Sequence, residues 1–354
     1  MPLMPSLLRT LTASAAVLTL GAPMALADEL LSVTDIPPVH SLVSMVSGDD
    51  AEVALLWTPA SSAHSIALKP SQARAIGNAS LVVWIGPELS PGLEDQFTAL
   101  APNARQIVLS DVAGTLHLAF REGSLMDDHD HGAPAAHEDH SDTHDDHDDH
   151  DDHDDHDDHD DHDDHDDHDD HTAEHHDDHN HSDAAYDPHM WLSPENALIW
   201  LDAIANAMAE IDPENADSYQ ANASEGVARI KAARDAAKST LSAVQNRPLA
   251  TSHDAFQYFE KAFELTLIGA LSDGDDAAPG PARLAELRDH LAEEPPVCIL
   301  TEPGTDARLL DAVAPEGTPR VALDPLGSDL PRGADLYPAL IEDLATRIAD
   351  CATQ

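Results

Sequence analysis

The sequence predicts an α/β fold of two lobes, each a small parallel β-sheet flanked by helices, joined by one long linking helix. Three observations carry that prediction. Brief runs rich in Val, Ile and Leu alternate with amphipathic segments early in the chain, the same alternation returns in its last third, and an unbroken helical pattern lies between. Strand and helix taking turns implies βα units and parallel sheets.

In the first lobe, residues 30–34, 53–57, 80–85 and 106–109 read as strands, because short, nearly continuous apolar runs suit strands covered on both faces. Residues 38–47 and 70–78 are the helices between them. Ser193 reads as an N-cap with Pro194 in the first helical position, opening a helix to about residue 211. Asp212-Pro213 restarts the chain, and residues 213–245 read as one helix of about 33 residues, about 50 Å long, enough to bridge two domains. Beyond it, 248–252, 265–271, 297–301 and 320–323 are strand-like, and 256–263, 281–293 and 306–314 helical. The expected division is an N-terminal lobe at 28–212, a linking helix at 213–246 and a C-terminal lobe at 247–354, with a cleft between the lobes.

Residues 1–27 carry one positive charge, Arg9, then an apolar run at 11–20 and the small-residue exit Ala25-Leu26-Ala27. That is the layout of a secretory signal peptide cleaved before Asp28. The apolar run is too short to span a bilayer and no later stretch of about 20 apolar residues occurs, so an exported, soluble protein is expected. No Cys stands near the cleavage site, which argues against a lipid tether. The remaining chain of about 327 residues exceeds what one core usually holds, in keeping with two lobes. Its two Cys, Cys298 and Cys351, read as one disulfide in an oxidising compartment; the alternative is two unrelated buried thiols.

The formal net charge is -51, but it is concentrated: residues 122–188 contain no Lys or Arg and hold more than half of the excess acid. The rest is still acidic, which argues against nucleic acid or an anionic membrane as partner, since both are bound through Lys and Arg. Within 122–187 the triplet HDD repeats nine times and ends on a further His. These are His144, His147, His150, His153, His156, His159, His162, His165, His168 and His171, flanked by His129, His131, His137, His140, His175, His176, His179 and His181. With nothing apolar to bury and strong self-repulsion, the segment is expected to be a disordered insertion in the N-terminal lobe. A period of three does not make a helical stripe, because successive His rotate about 60° around an α-helix. Order there is expected to come from cations.

Six His lie outside the insertion: His40, His64, His117, His189, His253 and His290. His64 and His253 each follow a strand, where ligands of open α/β sheets bind, and His189 stands just before the helix opened by Pro194. Neutral imidazole is a natural zinc ligand, and three suffice to hold the ion with one position left. For any single His the alternative is a surface or hydrogen-bonded residue, and that reading is kept for His40, His117 and His290.

Four stretches carry a resemblance. SSAHSIALKPSQARAIGNASLVVWIGPE at 61–88, DPHMWLSPENA at 187–197, TSHDAFQYFEKAFEL at 251–265 and LDPLG at 323–327 resemble, in order, motifs of the zinc-specific periplasmic binding proteins of ZnuA type. A His/Asp-rich insertion at the same place and both Cys add to the likeness, which covers essentially the whole chain after residue 27. The resemblance implies a rigid two-lobed fold with a long linking helix and zinc in the interlobe cleft, bound by His64, His189 and His253. Some of the family carry a Glu ligand just before the first His, but Ala63 stands there in this chain. Asp324 matches an Asp that binds metal in related proteins, which leaves Asp324 or a water as the fourth ligand. Three imidazoles favour zinc over manganese, whereas copper would bind more tightly on intrinsic order.

The implied function is zinc capture in the periplasm by a monomer and delivery to the membrane permease of an ABC importer, powered by a cytoplasmic ATPase. The insertion is expected to act as an accessory zinc trap that raises the local ion concentration, the alternative being a solvated acidic loop without specific role. Two rival functions are a periplasmic metal buffer or metallochaperone, and a three-His zinc hydrolase. Against the hydrolase, no HExxH occurs and no general base has a defined place. Glu302 and Asp254 are read instead as polar neighbours able to hold a ligand imidazole in its tautomer.

Overall fold

A computed structural model describes residues 30–48, 50–59, 62–121, 186–272 and 280–354. The expected signal peptide and all but the last two residues of the expected insertion lie outside these. Each lobe grows from a βα alternation whose strands are short and apolar. In the N-terminal lobe the order is β1 (Leu30–Thr34), α1 (Pro37–Ser47), β2 (Ala51–Leu55), α2 (Pro70–Gly77), β3 (Leu81–Trp84), α3 (Leu93–Leu100) and β4 (Arg105–Val108). A 3-10 turn at Met190–Leu192 then leads into α4 (Pro194–Ile211) and α5 (Ala216–Leu241). The C-terminal lobe follows with β5 (Pro248–His253), α6 (Gln257–Phe263), β6 (Thr266–Ser272), α7 (Pro281–Glu293), β7 (Cys298–Thr301), α8 (Ala307–Val313), β8 (Arg320–Ala322) and α9 (Leu336–Ala352).

Both sheets are four-stranded and parallel throughout, in the orders β2-β1-β3-β4 and β6-β5-β7-β8. They share one topology, in which the first strand of each lobe lies inside the sheet and the chain crosses over it. β3, the most apolar strand with sequence LVVW, is buried at every position. At the end of β1 the buried carboxylate of Asp35 accepts from Ile36 N and Ile85 N, both at 2.8 Å, and so ties β1 to the residue following β3. Burial pushes this carboxyl up to about 7, against the pull of the backbone donors.

Several elements differ in extent from the sequence reading. The linking helix is Ala216–Leu241, 26 residues rather than 33. Its start is delayed because Asp212 closes a turn, with Asn215 N donating to Asp212 O and the Asn215 and Tyr219 side chains donating to its carboxylate. Its end comes early because the backbone turns at residues 241–247, through Val244 N to Leu241 O and Arg247 N to Val244 O. The helix at Leu93–Leu100 was not anticipated. Tyr186 and Asp187, assigned by sequence to the insertion, belong to the folded body: Tyr186 bridges Ala119 and Asp187 is 2% exposed. Ser193 does cap α4, accepting from Asn196 N, with Pro194 in the first turn.

α5 packs on α4 and α1 of the first lobe and on α9 of the second. Its buried face, Tyr219, Ala223, Gly226, Ile230, Ala233, Ala237 and Leu241, is built largely of small residues, so the neighbouring helices come close. At Gly226 a Cβ would stand 3.1 Å from Leu201 Cδ1 and 3.3 Å from Met45 Sδ, which is why the smallest residue sits at that crossing. One apolar core runs beneath both lobes without a break, from Leu30, Val83 and Trp200 to Phe256, Tyr337 and Ile348. No helix of the described residues is long and apolar enough to cross a membrane.

Cys298 at the start of β7 and Cys351 in α9 are joined in a disulfide with Cα atoms 5.8 Å apart, pinning the last helix to the second sheet. Closing 53 residues stabilises the fold by about 4 kcal/mol on the chain-entropy argument. The denatured, non-reduced protein is therefore expected to show no titratable thiol, and reduction to lower the urea midpoint. A second expectation concerns Asp35. Between about pH 4 and pH 7 the folded chain keeps a proton that the unfolded chain has released, so this residue's contribution to stability falls as pH rises through that window. Urea unfolding at about pH 5 and pH 7.5 should show the parent losing stability relative to Asp35→Asn at the higher pH.

Candidate metal centre

The loop between β2 and α2 carries His64, the residue before the 3-10 turn is His189, and β5 ends on His253. Three separate stretches of chain thus bring their imidazoles to one point between the lobes. Ring centroids lie 5.4 Å apart for His64 and His189, 5.1 Å for His189 and His253, and 6.5 Å for His64 and His253. A tetrahedral ion about 2.0 to 2.1 Å from each ring nitrogen places imidazole centroids about 5 Å apart, so two pairs already have that spacing and the third is wider. Among the described residues no three ligand groups are yet closed around a common point. Completing the cage asks for a shift of His64 on the order of 1 Å, and His64 stands on a loop whereas the other two are buried at 5% and 7% exposure.

Carboxylates set the tautomers of two of these rings. Asp187 Oδ1 lies 2.7 Å from His189 Nδ1 and also accepts from His189 N at 2.9 Å, so one oxygen fixes both the ring and its backbone. Glu302 Oε1 lies 3.1 Å from His253 Nδ1. An ionised carboxylate only accepts, so Nδ1 carries the proton in each, the tautomer in which Nε2 can serve as a metal ligand. On the N-terminal side, Ser90 Oγ donates to Ala63 O at 2.6 Å, anchoring the residue that precedes His64.

The remaining sequence candidates fall elsewhere. Asp324 spends its oxygens on its own turn: Oδ1 accepts from Leu326 N at 2.9 Å, and Oδ2 from Ser328 N at 2.6 Å and from the Ser328 hydroxyl. Asp254, expected to orient an imidazole, instead faces the Arg121 guanidinium at 2.9 and 3.1 Å. Burial raises the carboxyl pKa of Asp254 and the nearby Arg121 charge opposes it. His40 lies in α1 with Nδ1 3.4 Å from Ser44 Oγ, and burial lowers its pKa. His117 Nε2 donates to Ser110 O at 2.8 Å while its ring lies 4.5 Å from that of Tyr186, and His290 lies in the last turn of α7. The eighteen His of the insertion lie outside the described residues. Sequence reasoning missed Asp187, although the signal was present: an Asp two residues before a candidate ligand, with a Pro between.

The family model for ZnuA, described as zinc-uptake complex component A, periplasmic, matches residues 33–351. The chain belongs to this family. High-affinity zinc uptake system protein ZnuA of Paracoccus denitrificans is 41% identical over 339 residues, covering 95% of this chain and 96% of that one. The protein of the same name from Brucella suis is 37% identical over 323 residues, covering 91% of each. Among solved structures, a crystal structure of ZnuA shares the fold with a TM-score of 0.66 at 20% identity, over 92% of this chain and 100% of that one. A zinc-bound deletion variant of ZnuA matches with the same TM-score at 21% identity, over 92% and 98%. This protein is accordingly a periplasmic zinc-binding component of a zinc uptake system, with zinc as its ligand, and not an enzyme.

Removing an outer carboxylate leaves its imidazole free to rotate and to change tautomer. Asp187→Ala and Glu302→Ala are each expected to weaken zinc binding in the cleft about 10- to 100-fold while the far-ultraviolet circular dichroism stays that of the parent. Competition against a chromophoric chelator measures the change.

Proposed function

We propose that His64, His189 and His253 hold one zinc ion in the interlobe cleft with a water in the fourth position. We further propose that the loaded protein, a monomer, delivers the ion to the membrane permease of an ABC importer. The observation that carries the ligand set is the convergence of three imidazoles, two with Nδ1 already taken by a carboxylate. Water is preferred to Asp324 because the carboxylate of Asp324 already holds its own loop together through three donors. Three nitrogen donors suit zinc better than manganese, which prefers oxygen.

The order of events follows from where the ligands stand. His189 and His253 are buried and oriented, so an ion meets them as a preformed pair, and the loop-borne His64 then closes the cage. Imidazolium must lose a proton before it can bind, so capture weakens as the solution becomes acid. Delivery requires the reverse, and a cage with one loop-borne imidazole and one water opens by ligand exchange at those two positions first. The His/Asp-rich insertion would act as an accessory trap, holding further ions weakly near the cleft. Zinc uptake by a deletion strain, complemented with the parent or with a cleft variant, tests the importer reading; a pure buffer would restore no uptake.

Single replacement of His64, His189 or His253 by Ala is expected to weaken the tightest zinc site by orders of magnitude, since each removes one of three protein bonds to the ion. Titration calorimetry would strike off the list any residue whose loss leaves that site unchanged. Deleting residues 127–183 should abolish the additional weaker ions and leave one tight site. Equilibrium dialysis at about pH 7.5 and pH 6 counts both classes, and the weaker class should empty first on acidification because clustered Asp favours protonated imidazole.

A further inference from the structure

The last described residues before the insertion, 118–121, and the first after it, 186 and 187, run side by side, joined by the Ala119–Tyr186 bridge and by Asp187 N donating to Leu118 O at 2.8 Å. These two stretches leave the first lobe and lie on the second. Leu118 N donates to Tyr258 Oη at 2.9 Å, Tyr258 Oη donates to Asp187 O at 3.0 Å, and Gln257 Nε2 donates to Ala119 O at 3.2 Å. At its end the Arg121 guanidinium forks onto Asp254, Nη2 to Oδ1 at 2.9 Å and Nε to Oδ2 at 3.1 Å, while Nη1 meets Glu260 Oε2 at 2.8 Å. All three side chains are largely covered, at 20%, 11% and 18% exposure, so this is no loose surface pair.

Asp254 directly follows His253, and Glu260 Oε1 accepts from Leu267 N, so the second carboxylate is itself fixed to β6. The guanidinium therefore grips the corner that carries one ligand from a stretch whose neighbour carries Asp187 and, through it, His189. We propose that Arg121 is a positioning residue for zinc capture, a planar clasp between the lobes that keeps the His253 corner in register with His189. The proposal rests on the ligand set above. Its physical basis is preorganisation: two ligands from different lobes bind one ion tightly only if holding them together costs little at the moment of binding. A planar fork fixes direction as well as charge, which an ammonium does not.

The test uses the full-length mature protein with Arg121→Ala and Arg121→Lys. Three quantities are read: the slow phase of zinc release into excess chelator, the visible absorption of the cobalt-substituted cleft, and the melting temperature without metal. Both variants are expected to release cleft zinc about tenfold faster, in the range known for residues that orient metal ligands, and to shift the cobalt bands. Release within twofold of the parent in both variants, with unshifted bands, overturns the proposal even if the metal-free melting temperature falls, since that leaves a structural role alone. Parent-like release in Arg121→Lys with fast release in Arg121→Ala overturns the planar-fork argument, because charge would then suffice. His253→Ala serves as the control: if it keeps the slow zinc phase, the ligand assignment has failed and the proposal for Arg121 falls with it.

Discussion

Everything at the cleft depends on the apolar core that continues beneath it from one lobe to the other. The three candidate ligands come from three distant stretches of chain, and no local structure could hold their rings within a few ångströms of each other. What holds them is the packing of α5 on α4, α1 and α9, with Tyr337 Oη donating to Trp191 O at 2.8 Å and Trp191 Nε1 donating to Pro325 O at 2.8 Å across the floor. Separating the lobes would expose this shared core, which costs about 25 cal/mol for each Å² of apolar surface. The cleft is thus set by packing.

Charge is arranged around that constraint. Burying Asp187 and His189 together is favourable only because each satisfies the other, and the same holds for His253 with Glu302. In the proposed site a dication would meet imidazoles in front and carboxylates behind them. Asp187 and Glu302 would supply negative potential without occupying the coordination sphere. Arg121 neutralises part of the adjacent acid, Asp254 and Glu260, so that the corner beside His253 does not repel itself.

Much of this was legible in the sequence, and for physical reasons. Strands buried on both faces are written as apolar runs, so the βα order of both lobes could be read, and Ser193-Pro194 announces a helix start wherever it occurs. His64 and His253 could be placed because their strands could. The outer partners were not legible in the same way, because a hydrogen bond between residues 253 and 302 depends on how β5 and β7 lie side by side, which no local pattern records. Asp187 was missed for a different reason: it ends an acidic tract of low complexity, and only its place two residues before His189 sets it apart. Asp254 misled because adjacency in sequence to a ligand is not adjacency to its ring; successive side chains at a strand end point to opposite sides.

The water proposed for the fourth position accords with the turn that holds Asp324. A site built to capture and then surrender an ion cannot be closed by a fourth protein ligand as firmly held as Asp324, whose oxygens would have to abandon Leu326 and Ser328 to reach the metal and would regain them on release. Exchange would then be coupled to the unfolding and refolding of a turn that also carries Pro325, the acceptor of Trp191 at the interlobe floor. Leaving the position to water uncouples ion exchange from the packing that defines the cleft. In the proposed site three imidazoles retain the ion, and the replaceable ligand is the one whose loss disturbs nothing else.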